Sequence, residues 1–342
     1  MPVALAQRGL RLVGRSHSLY HPRMSFVSIL VALLIEQARP LARGNAIHAV
    51  LRSWVRWAGH SFDAGKPHYA ALAWSVAVLV PTATVVLVHW ALVLAIGWPA
   101  AVVWNIVVLY TTLGFRQFSH HFTEIRDALE SGDEDRARRL LAVWQRVEVN
   151  GLQQSEIVRQ VIEYSVIAAH RHVFGVLAWF CIFSALGLGP AGAVLYRLSE
   201  FVPRYWVHKG EALVHPVSVA LDAVARRCWG AVDWLPARIT AIGFAMVGSF
   251  EEAIENWRNS AQRGLTGNDG VVLAATAGAI NIRLGTGGDS AATGFDRDSP
   301  ATQEAGQEPE VGHLRTVVGL VWRTVLMWMI LLALLTLARL LG

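Results

Sequence analysis

From Ala70 to Phe115 the chain carries no acidic residue, and its first strongly basic side chain after that run is Arg116. A helix packed in a water-soluble core is not apolar on every face for that length. A bilayer core needs about twenty apolar residues per helix. The run is long enough for two, with a break at Gly97-Trp98-Pro99. It predicts a transmembrane hairpin, Ala70–Ile96 and Ala100–Phe115, and the rest of the chain must fit a membrane address.

Composition agrees. Hydrophobic residues make up 54% and charged residues 16%, with a mean hydropathy of +0.39. That is apolar for a globular protein but mild for a pure bundle of spans. Of the 14 Trp, Trp74, Trp98, Trp104, Trp322 and Trp328 sit at the ends of apolar runs, where an indole N–H stays wet at the headgroups. The pI of about 9.6 does not indicate nucleic acid. The basic residues form no single patch but fall in segments 1–69, 116–172 and 197–316, as the positive-inside rule produces. Cys181 and Cys228 make neither a disulfide framework nor a zinc site.

Further spans follow from the same reading. Val317–Leu341 is one, with Arg323 near its entry. Val173–Tyr196 is apolar but broken at Gly187-Leu188-Gly189-Pro190, which favours a re-entrant or broken helix there. If that segment re-enters, or crosses and returns, all three basic segments are cytoplasmic. The fold class is then all-α: a polytopic membrane helical bundle with amphipathic cytoplasmic helices. Apolar spacing in Gln117–Val149 predicts a helical hairpin closed by Gly132, and residues 155–169 predict another helix with Ser155 as N-cap. Met1–Arg23 is basic without a signal-type apolar core, so 1–24 reads as an extension and Met24 as an alternative start. Residues 25–285 read as the main domain, 286–313 as a disordered linker, and 314–342 as the last transmembrane helix.

Few motifs carry chemistry. Asp233 and Arg238 lie five residues apart in the apolar Val232–Thr240 segment. Such charges need partners. Either the two pair with each other, or Arg238 anchors a ligand phosphate or carboxylate with its guanidinium fork. His120-His121 and His170-x-His172 lie on diverging faces of a helix, so no metal is expected. Glu251, Glu252, Glu255 and Arg258 read as a solvated helix face.

The Val232–Thr240 segment resembles the Asn/Asp-x-x-Pro-Ala-Arg-Leu/Ile-Thr-Ala element of the CobD/CbiB family of cobalamin-biosynthesis membrane proteins. Ala277-Gly278-Ala279 through Arg283-Leu284-Gly285 is similar to that family's Ala-Gly-Ala-Leu-x-x-Arg-Leu-Gly. Gly267–Gly270 stands where the family has a Ser-Pro-Asn-Ala-Gly turn. Gly189-Pro190 through Tyr196-Arg197 resembles its Gly-x-Pro-Gly-Ala…Tyr-Arg element. Glu36 and His48 match an early acidic residue and a Pro-His-Pro histidine. The resemblance implies a synthase that joins aminopropanol phosphate to a corrinoid carboxylate with ATP and Mg²⁺. It makes Glu36, His48 and Asp233 the catalytic candidates and Arg238, Asn268 and Arg283 the ligand-binding ones.

The departures point elsewhere. Where the synthases carry Glu-Asn…Asp-Gly, this chain has Ala169–Gly175 without a carboxylate, and Leu198–Val202 replaces an Asn-Thr-Leu-Asp run. That pattern looks like the AmpE branch, regulatory membrane components linked to β-lactamase induction. The expectation is an AmpE-like membrane sensor or assembly factor with a degenerate synthase site. The synthase is the alternative, and only it would need Mg²⁺ and ATP. The expected location is a bacterial-type inner membrane with loops mainly cytoplasmic. The expected partners are the lipid bilayer, a second copy of the chain, and a corrinoid or other anionic small molecule, with no nucleic acid.

Overall fold

A computed structural model describes residues 25–39, 46–145, 152–212, 217–260, 265–285 and 306–341. Among them the structure is helical, without strands; one parallel bridge joins Ile282 and Gln307. Among the described residues, three helices are long and apolar enough to cross a membrane: Pro67–Ala95, Gln154–Ala185 and Val311–Ala338. The protein is an all-α membrane helical bundle. The chain divides into two compact units.

The first unit comprises Met1–Leu113, Val176–Trp229 and Leu326–Gly342. Its helices are α1 (Ser25–Ala38), α2 (Ala46–Phe62), α3 (Pro67–Ala95), α4 (Trp98–Thr112), most of α8 (Gly175–Ala185), α9 (Ala191–Ala212), the start of α10 (Val219–Val247) and the end of the last helix, Val311–Leu341. Pro67 opens α3, where a missing N–H costs nothing. α3 is apolar all round, and Leu87 and Leu94 stay 70% and 82% exposed, as lipid-facing side chains do. It packs against α2, α4 and α9. Val55 and Ala58 of α2, Ala70, Ala73 and Trp74 of α3, and Val202 and Trp206 of α9 form one core cluster.

Two spans differ from the sequence reading. α4 ends at Thr112 after 15 residues, about 22 Å of helix. That is shorter than the Ala100–Phe115 span, because the chain leaves the helix at Leu113-Gly114 before α5 begins. The segment read as Val173–Tyr196 is broken at Gly187–Pro190 as expected, but its first part belongs to a longer apolar helix, Gln154–Ala185, and its last residues open α9. The longer helix ends in a Schellman cap: Leu188 N–H bonds Phe183 O at 2.8 Å and Gly187, at φ 77°, bonds Ser184 O at 3.1 Å. The Gly187–Pro190 turn docks on α3. Trp90 Nε1 donates to Gly187 O at 2.9 Å. A Cβ on Gly189 would lie 2.4 Å from His89 Cγ, so this approach needs glycine.

The second unit comprises Gly114–Gly175 and Gly230–Val325. The expected hairpin is present as α5 (Phe115–Glu130) and α6 (Glu134–Gln145), with Gly132 at the turn. Asp133 caps α6 by accepting from Arg136 N–H at 2.9 Å. α7 (Gln154–Ala169) packs against α5, α6 and α12 (Gly267–Ala279). Its N-cap is Gln153 rather than Ser155. α11 (Phe250–Arg258) lies against α12, and Gly278 makes this contact possible: a Cβ there would meet Glu252 O at 2.3 Å. Glu251, Glu252 and Glu255 face solvent. Residues 1–24 and 286–305 lie outside the described residues. Beyond them, Gln307 N–H bonds Asn281 O at 3.0 Å, and α13 (Val311–Leu341) starts within the segment read as linker.

One carboxylate ties the α2–α3 connection to the start of α10. Asp63 accepts from the Ser218 amide at 2.9 Å and the Ser218 hydroxyl at 2.5 Å. Ser218 Oγ in turn accepts from Leu221 N–H at 3.1 Å, capping α10. Burial alone would raise the Asp63 pKa, but the Ser218 and Gly65 donors outweigh it and hold it below the usual carboxylate range. A lowered folded-state pKa gives stability that is complete above the ordinary Asp range and is lost as pH falls through the folded value. Asp63→Ala is expected to cost about 1–2 kcal/mol. Thermal unfolding in detergent should show that deficit unchanged from about pH 7 to pH 5 and shrinking below about pH 4.

Candidate functional site

Helical geometry changes once inside the long Gln154–Ala185 helix. Residues His170–Phe174 form a single π-turn between α7 and α8. Such an insertion rotates the side chains after it and is frequent at functional sites. Its first two residues reach two different helices. His170 is fully buried; its Nε2 lies 2.9 Å from Asp233 Oδ1 and its Nδ1 lies 3.0 Å from Thr240 Oγ1. With a hydroxyl on one side and a carboxylate on the other, both ring nitrogens have hydrogen-bonding partners. Arg171 pairs with Asp269 in the first turn of α12.

α10 and α12 are joined directly. Arg238 Nη1 donates to Asn268 Oδ1 at 2.6 Å and to Trp234 O at 3.0 Å, and the guanidinium lies over the Trp234 ring at 4.5 Å. Asn268 Nδ2 donates to Gly230 O at 2.8 Å. The π-turn, α10 and α12 therefore form a closed polar ring. It presents two half-buried guanidiniums, Arg171 and Arg238, and two carboxylates of unlike exposure. The Asp233 side chain is 1% exposed and Asp269 40%. Burial lowers the Arg238 pKa and the nearby Asp233 charge raises it; burial prevails.

Asp233 and Arg238 do not form the ion pair that their spacing suggested. Five residues along α10 turn the two side chains apart by about 140°, and Asp233 turns inward to His170 instead. Of the ligand-binding candidates, Arg238 and Asn268 are brought together. Arg283 is not joined to them: its Nε donates to Gly306 O at 2.9 Å, beside the Ile282–Gln307 bridge. Glu36 and His48 belong to the first unit, Glu36 buried on α1 and His48 half-buried on α2. Desolvation, then Arg197 and Arg52, lower the His48 pKa. Glu200, the one carboxylate between His170 and Val202, is buried between Arg197 and Arg204 on α9, 3.2 Å and 2.7 Å away.

His170, Thr240, Arg171 and Asp269 were not picked out from the sequence. The available signal was a histidine and an aspartate, each isolated in an apolar helix and each needing a partner. Testing the two histidines only against each other, as metal ligands, passed it over.

A family model described as CobD/Cbib protein matches residues 11–321. The chain belongs to the CobD/CbiB family. It is 29% identical over 319 residues to the cobalamin biosynthesis protein CobD of Stutzerimonas stutzeri, covering 90% of this chain and 96% of that one. It is 31% identical over 182 residues to the CobD of Chromobacterium violaceum, covering 53% and 55% of the two chains. With the CobD of Leptospira interrogans it shares 27% over 186 residues. No solved structure matches. Within this CobD/CbiB chain, the Asp-x-x-Pro-Ala-Arg element supplies both Asp233 and Arg238 to the ring. The Ala-Gly-Ala element is the packing surface of α12.

The ring gives an ordering of mutational effects. Asp233→Ala leaves a buried imidazole without its acceptor and should cost about 3 kcal/mol. Arg238→Ala removes a half-exposed group and should cost under about 1.5 kcal/mol. Thermal unfolding of the two variants in detergent checks the order; equal losses would restore a direct Asp233–Arg238 pair.

Proposed function

We propose that this chain is a cobalamin-biosynthesis synthase that joins an aminopropanol phosphate to a corrinoid carboxylate, driven by ATP. The observation that carries this reading is the Arg238–Asn268 contact. It unites two residues thirty positions apart that the family resemblance separately assigns to ligand binding, and Arg171 adds a second guanidinium to the same ring. Similarity over nearly the whole length of a relative named for cobalamin biosynthesis supports it. The AmpE-like sensor reading rested on missing carboxylates near His170. Asp233 and Asp269 supply carboxylates to that region from α10 and α12, and the relatives described above are each named for cobalamin biosynthesis.

The chemistry assigned to each group follows from its exposure. Arg238 and Arg171 clamp phosphate oxygens or an acyl phosphate, where developing charge is best met by fixed donors. Asn268 holds the Arg238 fork in one orientation. Asp233, closed off by His170, positions rather than reacts. Asp269 is the accessible carboxylate of the ring and fits Mg²⁺ only together with phosphate oxygens, since one or two carboxylates suffice when substrate supplies the rest. When bound, that ion would neutralise phosphate charge.

The test is complementation. The full chain is expected to restore cobalamin-dependent growth in cells lacking their own synthase. Arg238→Ala should lower the rate about a hundred-fold at an unchanged level of membrane-inserted protein. A wild-type chain that inserts and does not complement would overturn the synthase reading and return the sensor.

A further inference from the structure

Outside that ring, α2 and α9 of the first unit carry a group of basic residues with few acids beside them. α2 is joined to α3 by a short turn, so the two run antiparallel, and α9 also runs antiparallel to α3. Its start meets Trp90 through Gly187, and Trp206 near its end joins the cluster around Ala70 and Trp74. α2 and α9 are therefore parallel. Trp206 Nε1 donates to Val55 O at 3.1 Å, and Arg56 Nε donates to Tyr205 Oη at 3.2 Å. Two turns back along each helix, about 10 Å, His48 comes level with Leu198, beside Arg197. The stripe His48–Arg52–Arg56 thus faces the stripe Arg197–Glu200–Arg204.

This face has more cations than it can neutralise. Glu200 is shared by Arg197 and Arg204, and the Arg204 side chain is 49% exposed. Arg52 is exposed and has no ion-pair or hydrogen-bond partner among the described residues, and Arg56 has only the Tyr205 hydroxyl. Asp63, the acid at the end of α2, is engaged by Ser218. Burial, then Arg197 and Arg52, lower the His48 pKa and so disfavour a further charge on this face.

The level of this face matters as much as its charge. α3 has 29 residues, about 43 Å, against an apolar bilayer core of about 30 Å. Its far end stays apolar, with Leu94 and Ile96 82% and 69% exposed. Its near end carries Lys66, His68 and Tyr69, so that end emerges. Trp74 then sits at the boundary, level with Val55 and Trp206 of the same cluster and so with Arg56 and Arg204 beside them; Arg52 lies one turn from Arg56. Trp57, 48% exposed, and Val50, 70% exposed, flank Arg52 and Arg56. Exposed arginines interleaved with Trp on an amphipathic helix are the pattern of an interfacial segment that meets anionic headgroups.

We propose that the arginine face shared by α2 and α9, edged by Trp57 and Val50, seats the phosphate headgroup of an anionic phospholipid. Arg52 and Arg56 meet the phosphate directly. Arg204 extends the cationic face from α9, and Glu200 fixes Arg204 in place. The proposal does not depend on the synthase reading, because it involves only residues of the first unit.

The test is native mass spectrometry of the full chain in detergent, titrated with phosphatidylglycerol or phosphatidylcholine of equal chain length. The wild type should retain phosphatidylglycerol in preference to phosphatidylcholine. Arg52→Gln/Arg56→Gln should weaken that retention about thirty-fold, at roughly tenfold or less per arginine, and leave phosphatidylcholine unaffected. Arg52→Lys/Arg56→Lys, which keeps the charge, should retain most of the preference whether or not the glutamine pair folds normally. Millimolar glycerol phosphate should not displace the lipid. Equal retention of the two lipids by the wild type would overturn the proposal. So would loss of preference in a folded lysine variant, or displacement by glycerol phosphate, which would assign the face to a soluble phosphate ester.

Discussion

A histidine and an aspartate buried against each other set the constraint on which the second unit depends. Neither His170 nor Asp233 has appreciable contact with solvent, so each must find its hydrogen-bonding partners within the protein or lose several kcal/mol of solvation. With Thr240 on the second ring nitrogen, the imidazole is satisfied on both sides at a single register of α10 against the π-turn. A shift of either helix by one residue would break both contacts. The placements of Arg171 and Arg238 follow, because each lies on an element whose register that buried contact has already fixed.

The surrounding helices keep this register through close backbone approach and fixed charges. Gly278 lets α12 lie against the backbone of α11, and Gly248 does the same against Ala279. Arg159 on α7 bridges Glu156 and Glu163, and Glu163 also accepts from Gly285 N–H at 2.7 Å. That last bond holds the chain just beyond α12, where the Asn281 cap ends the helix in a left-handed residue. The family-like Ala277–Gly285 stretch is thus mostly structural. Its glycine packs, its arginine secures Gly306, and its terminal glycine is anchored to α7.

Much of this fold was readable because hydrophobic length and turn chemistry are local properties. The uninterrupted apolar run marked α3, Gly97 marked the break after it, and Gly132 with the acids that follow marked the α5–α6 hairpin. What was not readable depended on tertiary context. Asp233 and Arg238 are close in sequence and carry opposite charges, yet the helix turns them apart, and Asp233 finds His170, sixty-three positions away. The π-turn has no sequence signature, so the apolar segment around it was given the wrong ends. Arg238 and Asn268 were legible as separate motif residues, but only the fold shows that they touch.

The account has one central claim: Arg238 acts as part of a ring with Asn268 and not as an isolated surface cation. A double-mutant cycle on Arg238→Ala and Asn268→Ala, read in thermal unfolding of the purified full chain, tests it most directly. Residues within one hydrogen-bonded network couple by about 0.5–3 kcal/mol, and a charge-assisted bond of 2.6 Å from a half-exposed guanidinium belongs in the lower half of that range, at about 1 kcal/mol. Strict additivity of the two single losses would mean that the contact contributes nothing, and would contradict the ring.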